Sequence, residues 1–135
     1  MGTYTFLPQQ TSATEQRSRG KELFWDGSNQ FGTMNARLAH QPDLLPVLAI
    51  KCANCHTQVG TGELNQSRTL SKERLLSHIP RRGAPASRFD QTTFCKLLGT
   101  GIDPAWVIID QAMPRYELSD AQCADLWLYL TSSDE

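Results

Sequence analysis

Cys52 and Cys55 stand three residues apart and His56 directly follows the second, so Cys52-Ala53-Asn54-Cys55-His56 gathers two thiols and an imidazole into five residues. On one helical turn, sulfurs at this spacing reach the two vinyl groups on neighbouring haem edges, and the next residue projects its imidazole under the iron. The order separates this segment from a generic C-x-x-C. A structural zinc site would need a second ligand pair, and the other cysteines, Cys95 and Cys123, stand far apart and singly. A thioredoxin-like pair would follow a buried strand in a βαβ pattern, which the chain lacks. The motif therefore predicts one covalent haem c with iron, held by Cys52 and Cys55 and ligated by His56.

A second axial ligand is expected well downstream. Of the three methionines, Met1 is terminal, Met34 precedes the motif, and Met113 stands before Pro114 between two helical segments. A thioether on an irregular segment swings readily onto an open iron face, and the adjacent proline stiffens the backbone that aims it. Met113 is thus favoured, with a core gap-filling role as the plain alternative and His40 and His78 as rival ligands. Cys95 and Cys123 form an even, leftover pair; in an oxidising compartment they are expected to be bridged, against the alternative of two separate buried thiols. Arg81, Arg82 and Arg88 cluster in one connection and are candidates for the haem propionates, although most such arginines are solvated surface. Trp106 and Tyr116 either donate to a propionate or pack on the ring, and packing is the more ordinary role.

These side chains need helices to hold them. Ser12 and Glu15 have capping-box spacing, predicting a helix over about 13–25 with Gly20, Leu23 and Phe24 on one side. Residues 26–51, rich in Gly, Asn and Pro, read as a long loop carrying a short helix, and 57–70 as polar loop. Ser71 is expected to cap a short helix that Pro80 ends. Asp90 caps another with Phe94, Leu97 and Leu98 on its apolar face and Gly99 as its stop. Asp103 and Pro104 start a short turn leading through Trp106 to Met113. Ser119 and Gln122 form a second capping box, and Cys123, Leu126, Trp127 and Leu130 then recur at i, i+3, i+4 and i+7. Sustained strand alternation is absent, so the fold is expected to be all-α, with a loose arm over 1–12 and one domain over 13–135.

The 135 residues are 39 % apolar, ordinary for a globular protein. A formal net charge of −1 argues against a nucleic-acid binder. No apolar stretch approaches the length of a membrane span. The first twenty residues lack a basic start followed by an apolar segment. Because covalent haem attachment normally occurs on the outer side of an energy-coupling membrane, the expectation is a mature periplasmic chain whose leader has been removed.

The chain resembles the class I monohaem cytochromes c over most of residues 14–131. Gly20 and Phe24 are similar to the family's opening helix, with a glycine four residues before an aromatic. The haem motif is the second likeness. The third is Met113-Pro114-Arg115-Tyr116 followed by Leu126-Trp127-Leu128-Tyr129-Leu130, similar to the family's methionine–proline loop and L-x-x-Y-L terminal helix. The resemblance implies a cytochrome c-like fold wrapped around its haem, in which Gly20 meets the helix bearing Leu126 and Tyr129. It departs in length: about 27 residues separate Phe24 from Cys52, where family members need only a few, so 26–51 reads as an insertion. With both iron faces occupied, the expected role is an electron carrier rather than an enzyme, exchanging electrons with redox proteins such as a periplasmic dehydrogenase as donor and an oxidase or reductase as acceptor. The alternatives are a haem enzyme or gas sensor whose sixth iron position is open or labile, or a cytochrome subunit of a larger oxidoreductase. A monomer and a subunit of a hetero-complex are both compatible with the residues.

Overall fold

Ser12 Oγ accepts from the Glu15 amide at 3.0 Å while the Glu15 carboxylate accepts from the Ser12 amide at 3.3 Å, closing the capping box that opens helix α1, Ala13–Asp26. Gly27, at φ 76°, ends it in the left-handed conformation that glycine adopts without strain. This is a computed structural model describing residues 12–56 and 70–132. Most of the expected arm over 1–12 and of the polar loop over 57–70 lies outside the described residues.

Helix α6, Asp120–Thr131, opens on the same device from Ser119 and Gln122. It crosses α1 at Gly20, where a β-carbon would stand 2.0 Å from the Asp125 carbonyl oxygen and 2.9 Å from Tyr129 Cβ. Glycine is the residue that admits this approach. Around the crossing, the Arg19 guanidinium donates twice to the buried Asp125 carboxylate, at 3.1 and 3.3 Å. Trp25 Nε1 donates to Tyr129 Oη at 3.0 Å. The resemblance therefore located the contact correctly.

Between α1 and Cys52 the chain forms a two-residue pair, β1 (Ser28–Asn29) with β2 (Gly32–Thr33), then β3 (Asn35–Arg37) and the short helix α2 (Val47–Ile50). Strand β3 pairs antiparallel with β4 (Arg115–Glu117), in the register Ala36 opposite Tyr116 and Arg37 opposite Arg115. The all-α expectation thus holds for the helical frame and misses these strands. Three residues carry too little alternation to register as a period-two pattern.

Beyond the site, α4 (Lys72–Leu76) is capped by Ser71 and ends ahead of Pro80. Helix α5, Gln91–Thr100, begins at the Asp90 cap and buries Phe94, Leu97 and Leu98 as expected. It stops at Gly101 (φ 79°), not at Gly99, which stays helical. Either glycine suits a left-handed stop; the difference is that Gly101 lies against the Arg115 guanidinium, which a β-carbon there would have to displace. The core gathers Leu23, Phe24, Met34, Ile50, Phe94 and Leu126, joined by Tyr116 and Cys123. Burying each large apolar side chain contributes about 1.5–3 kcal/mol. Met34 is wholly enclosed in that core.

Candidate functional site

The motif forms a single turn, with Cys52 leading into α3 (Ala53–His56). The Cys52 carbonyl accepts from the Cys55 amide at 3.2 Å and the His56 amide at 3.0 Å, and Asn54 Nδ2 donates to Leu48 O at 2.9 Å, pinning the turn to α2. Cys52 is half-buried against the core, and Cys55 is exposed; both are free thiols. Burial pushes the Cys52 thiol up to about 11, partly offset by a hydrogen bond with the Tyr116 hydroxyl, so the sulfur is protonated at neutral pH. Tyr116 is itself raised, by burial first and then by the neighbouring Cys52. Its hydroxyl donates to the Ile50 carbonyl at 2.5 Å in a buried contact. Tyr116 therefore ties the strand that follows Met113 to the residues that precede the haem motif, and its hydroxyl proton is committed to that carbonyl.

Met113 is half-buried and packs against the core. Its amide donates to Asp110 O at 3.2 Å and its carbonyl accepts from Arg115 Nη1 at 2.7 Å. Cys95 and Cys123 are joined in the structure, Cα to Cα 6.0 Å, fastening α5 to α6.

The other candidates are placed differently. Arg81, only 8 % exposed, spends its terminal nitrogens on its own loop: Nη1 donates to the carbonyls of Ile79 and Ser87 and to Ser87 Oγ, Nη2 to the carbonyls of Arg74 and Ser77. Burial lowers its guanidinium, and the positive charge of Arg74 and Arg82 adds to that. Arg82 Nη1 donates to Asp103 Oδ2 at 2.7 Å, whereas Arg88 is an exposed side chain. The other oxygen of Asp103 accepts from the amides of Ala105 and Val107 at 2.9 and 3.0 Å. This buried carboxylate builds the loop that presents Trp106, 73 % exposed, in a left-handed backbone conformation (φ 69°) with Lys96 Nζ 3.6 Å from its ring centroid. His40 and His78 are both exposed.

The sequence placed a turn start at Asp103 and Pro104, which the structure shows, and missed the pairing of Asp103 with Arg82 and the role of Arg115. Arg115 left no signal.

The donor set fits a covalently attached haem. Two free sulfurs and an imidazole share one turn, while the other cysteine pair is joined elsewhere. Trp106 and Ile108, the latter 68 % exposed, also leave apolar surface open on the segment that leads to Met113. A family model described as Cytochrome c matches residues 18–134. The chain belongs to the cytochrome c family, and with that membership come a haem-binding, electron-transfer role and covalent haem c as the cofactor. No curated protein and no solved structure is matched. Among the described residues, no helix is long and apolar enough to cross a membrane.

Proposed function

We propose that this chain is a monohaem electron carrier in the periplasm, shuttling single electrons between a redox enzyme and an acceptor. Cys52 and Cys55 would hold the cofactor through two thioether bonds, each S–H adding across a vinyl double bond with its hydrogen passing to the neighbouring carbon. His56 would give the iron its imidazole nitrogen and Met113 its thioether sulfur. When bound, the haem supplies a one-electron ferric–ferrous couple. Thioether ligation and an apolar shell favour the reduced form, giving a fairly high potential.

The polypeptide's task is to keep His56 and Met113 fixed in both oxidation states. The observation that supports this reading is the Tyr116–Ile50 hydrogen bond, which links the strand that follows Met113 to the end of α2, just ahead of the haem motif. With both ligands held, the iron would have no position open to substrate. Exposed Arg88 is the proposed propionate partner, with Trp106 as a second candidate; Arg81 is committed to its loop and Arg82 to Asp103. The bridge between Cys95 and Cys123 suits an oxidising compartment. A net charge of −1 leaves long-range steering weak, in keeping with the small transient interfaces of electron-transfer encounters.

An alkaline pyridine spectrum of the purified protein tests the core of this reading, reporting haem number per chain and thioether type together. A colourless folded preparation overturns it. A second reading, a cytochrome subunit of a larger oxidoreductase, is favoured by the segment between α1 and the motif. There Phe31 and Leu48 are 71 % and 72 % exposed. A stoichiometric partner retained through native purification supports the subunit, and a monomer supports the shuttle.

A further inference from the structure

Arg115 is engaged in a way that neither the haem motif nor the methionine demands. Its guanidinium reaches back into the loop that carries Met113 and donates to three of that loop's carbonyls. Nη1 reaches Met113 O at 2.7 Å and Asp110 O at 3.3 Å, and Nη2 reaches Ile109 O at 3.2 Å. The loop has limited means of holding itself. Met113 N–H donates to Asp110 O and Ala112 N–H to Asp110 Oδ1, but Pro114 has no N–H to give. A planar fork of donors is suited to collecting several carbonyls at once, and its charge strengthens each contact.

Gly101 shapes the space for that fork. A β-carbon there would stand 2.3 Å from Arg115 Nε and 2.5 Å from Cζ. The same glycine ends α5, and its carbonyl accepts from the Ile109 amide at 2.7 Å. The backbone of Arg115 is fixed as well, because it lies in β4 opposite Arg37 and directly precedes the Tyr116 that bonds Ile50. A continuous mechanical path thus runs from the Met113 carbonyl through Arg115 and Tyr116 to the haem-motif turn.

We propose that Arg115 is the positioning residue for Met113, governing how firmly the thioether holds the iron against competing ligands, with Gly101 as the seat of its guanidinium. The proposal rests on the reading of Met113 as the sixth ligand. Arginine is required by the geometry: a lysine brings one compact charge where three carbonyls must be gathered.

The test uses the ferric holoprotein, its Met–ferric-haem charge-transfer band and titration with imidazole, alongside the unfolding midpoint. Arg115→Met and Arg115→Lys should weaken the band and bind imidazole roughly tenfold more tightly, the factor carried by one charge-assisted hydrogen bond. Gly101→Ala should reproduce this with Arg115 still in the chain. Arg37→Met, which breaks the ion pair to Glu117 on the same strand pair, should leave both readouts at wild type. If Arg115→Met does not accumulate with haem, Arg115→Lys keeps the charge and the aliphatic stem and decides the matter. A lowered unfolding midpoint with unchanged imidazole affinity would make Arg115 merely structural and overturn the proposal. A wild-type protein without the band removes the ligand reading itself, a separate failure visible before any substitution is made.

Discussion

Tyr116 donates its hydroxyl to the Ile50 carbonyl across 66 residues of sequence, and both groups are buried. Tyr116→Phe keeps the ring and leaves that carbonyl unpaired. The expected cost is about 1–3 kcal/mol, read as a lower denaturant midpoint with unchanged slope. Wild-type stability in the variant would mean that the link is not needed to hold the two segments together.

Gly20 sets a sharper steric limit. Its missing β-carbon would overlap the Asp125 carbonyl, and backbone on a helix cannot swing aside as a side chain can. Gly20→Ala should therefore part α1 from α6 and destabilise by roughly 3 kcal/mol, the upper range for overpacked cores. A neutral result in thermal unfolding contradicts the close crossing.

Met113→Ala should leave the haem covalently attached, lower the reduction potential and open the iron to added ligands. Redox titration and an imidazole difference spectrum check this together. An unchanged spectrum moves the sixth ligand elsewhere.

The paired cysteines predict an intact mass two hydrogens below that of the reduced chain and resistance of Cys95 and Cys123 to alkylation before reduction. Replacing both by Ser should destabilise by about 2–4 kcal/mol, chiefly by freeing the unfolded chain. Alkylation of either sulfur in the native, unreduced protein would contradict the bond.

Asp90 gives a pH dependence. The Thr93 amide and hydroxyl donate to its carboxylate and lower its proton affinity in the folded state. A carboxylate so depressed stabilises fully above the ordinary carboxylate range, and its contribution fades as pH falls through the lowered folded value. The stability difference between wild type and Asp90→Ala, about 1 kcal/mol for a helix cap at neutral pH, should shrink on acidification. A gap that is constant down to strongly acid pH rules out the ionised cap.

Helix starts were the most readable part of the fold, because Ser12, Asp90 and Ser119 each act on the amide three residues away. Local sequence contains the whole interaction. The β3–β4 pair was hidden, since its partners lie some eighty positions apart and neither strand is long enough to show a pattern. The thiol–imidazole turn was legible for the same local reason as the caps. The arginines were not: composition marks a guanidinium as a candidate for any carboxylate, whereas the fold gives Arg81 to its own loop and Arg82 to Asp103. The two glycines near the end of α5 were equivalent in sequence and became distinct only once Arg115 packed against one of them.

The bond between Cys95 and Cys123 encloses Met113 in a covalent ring spanning 28 positions. On the proposed ligation by Met113, a sulfur that slips off the metal is leashed at both ends, and its return is an intramolecular recapture over a short path. Small competitors in solution must outrun that rebinding, so cutting the ring should lengthen each excursion even where the resting spectrum barely changes.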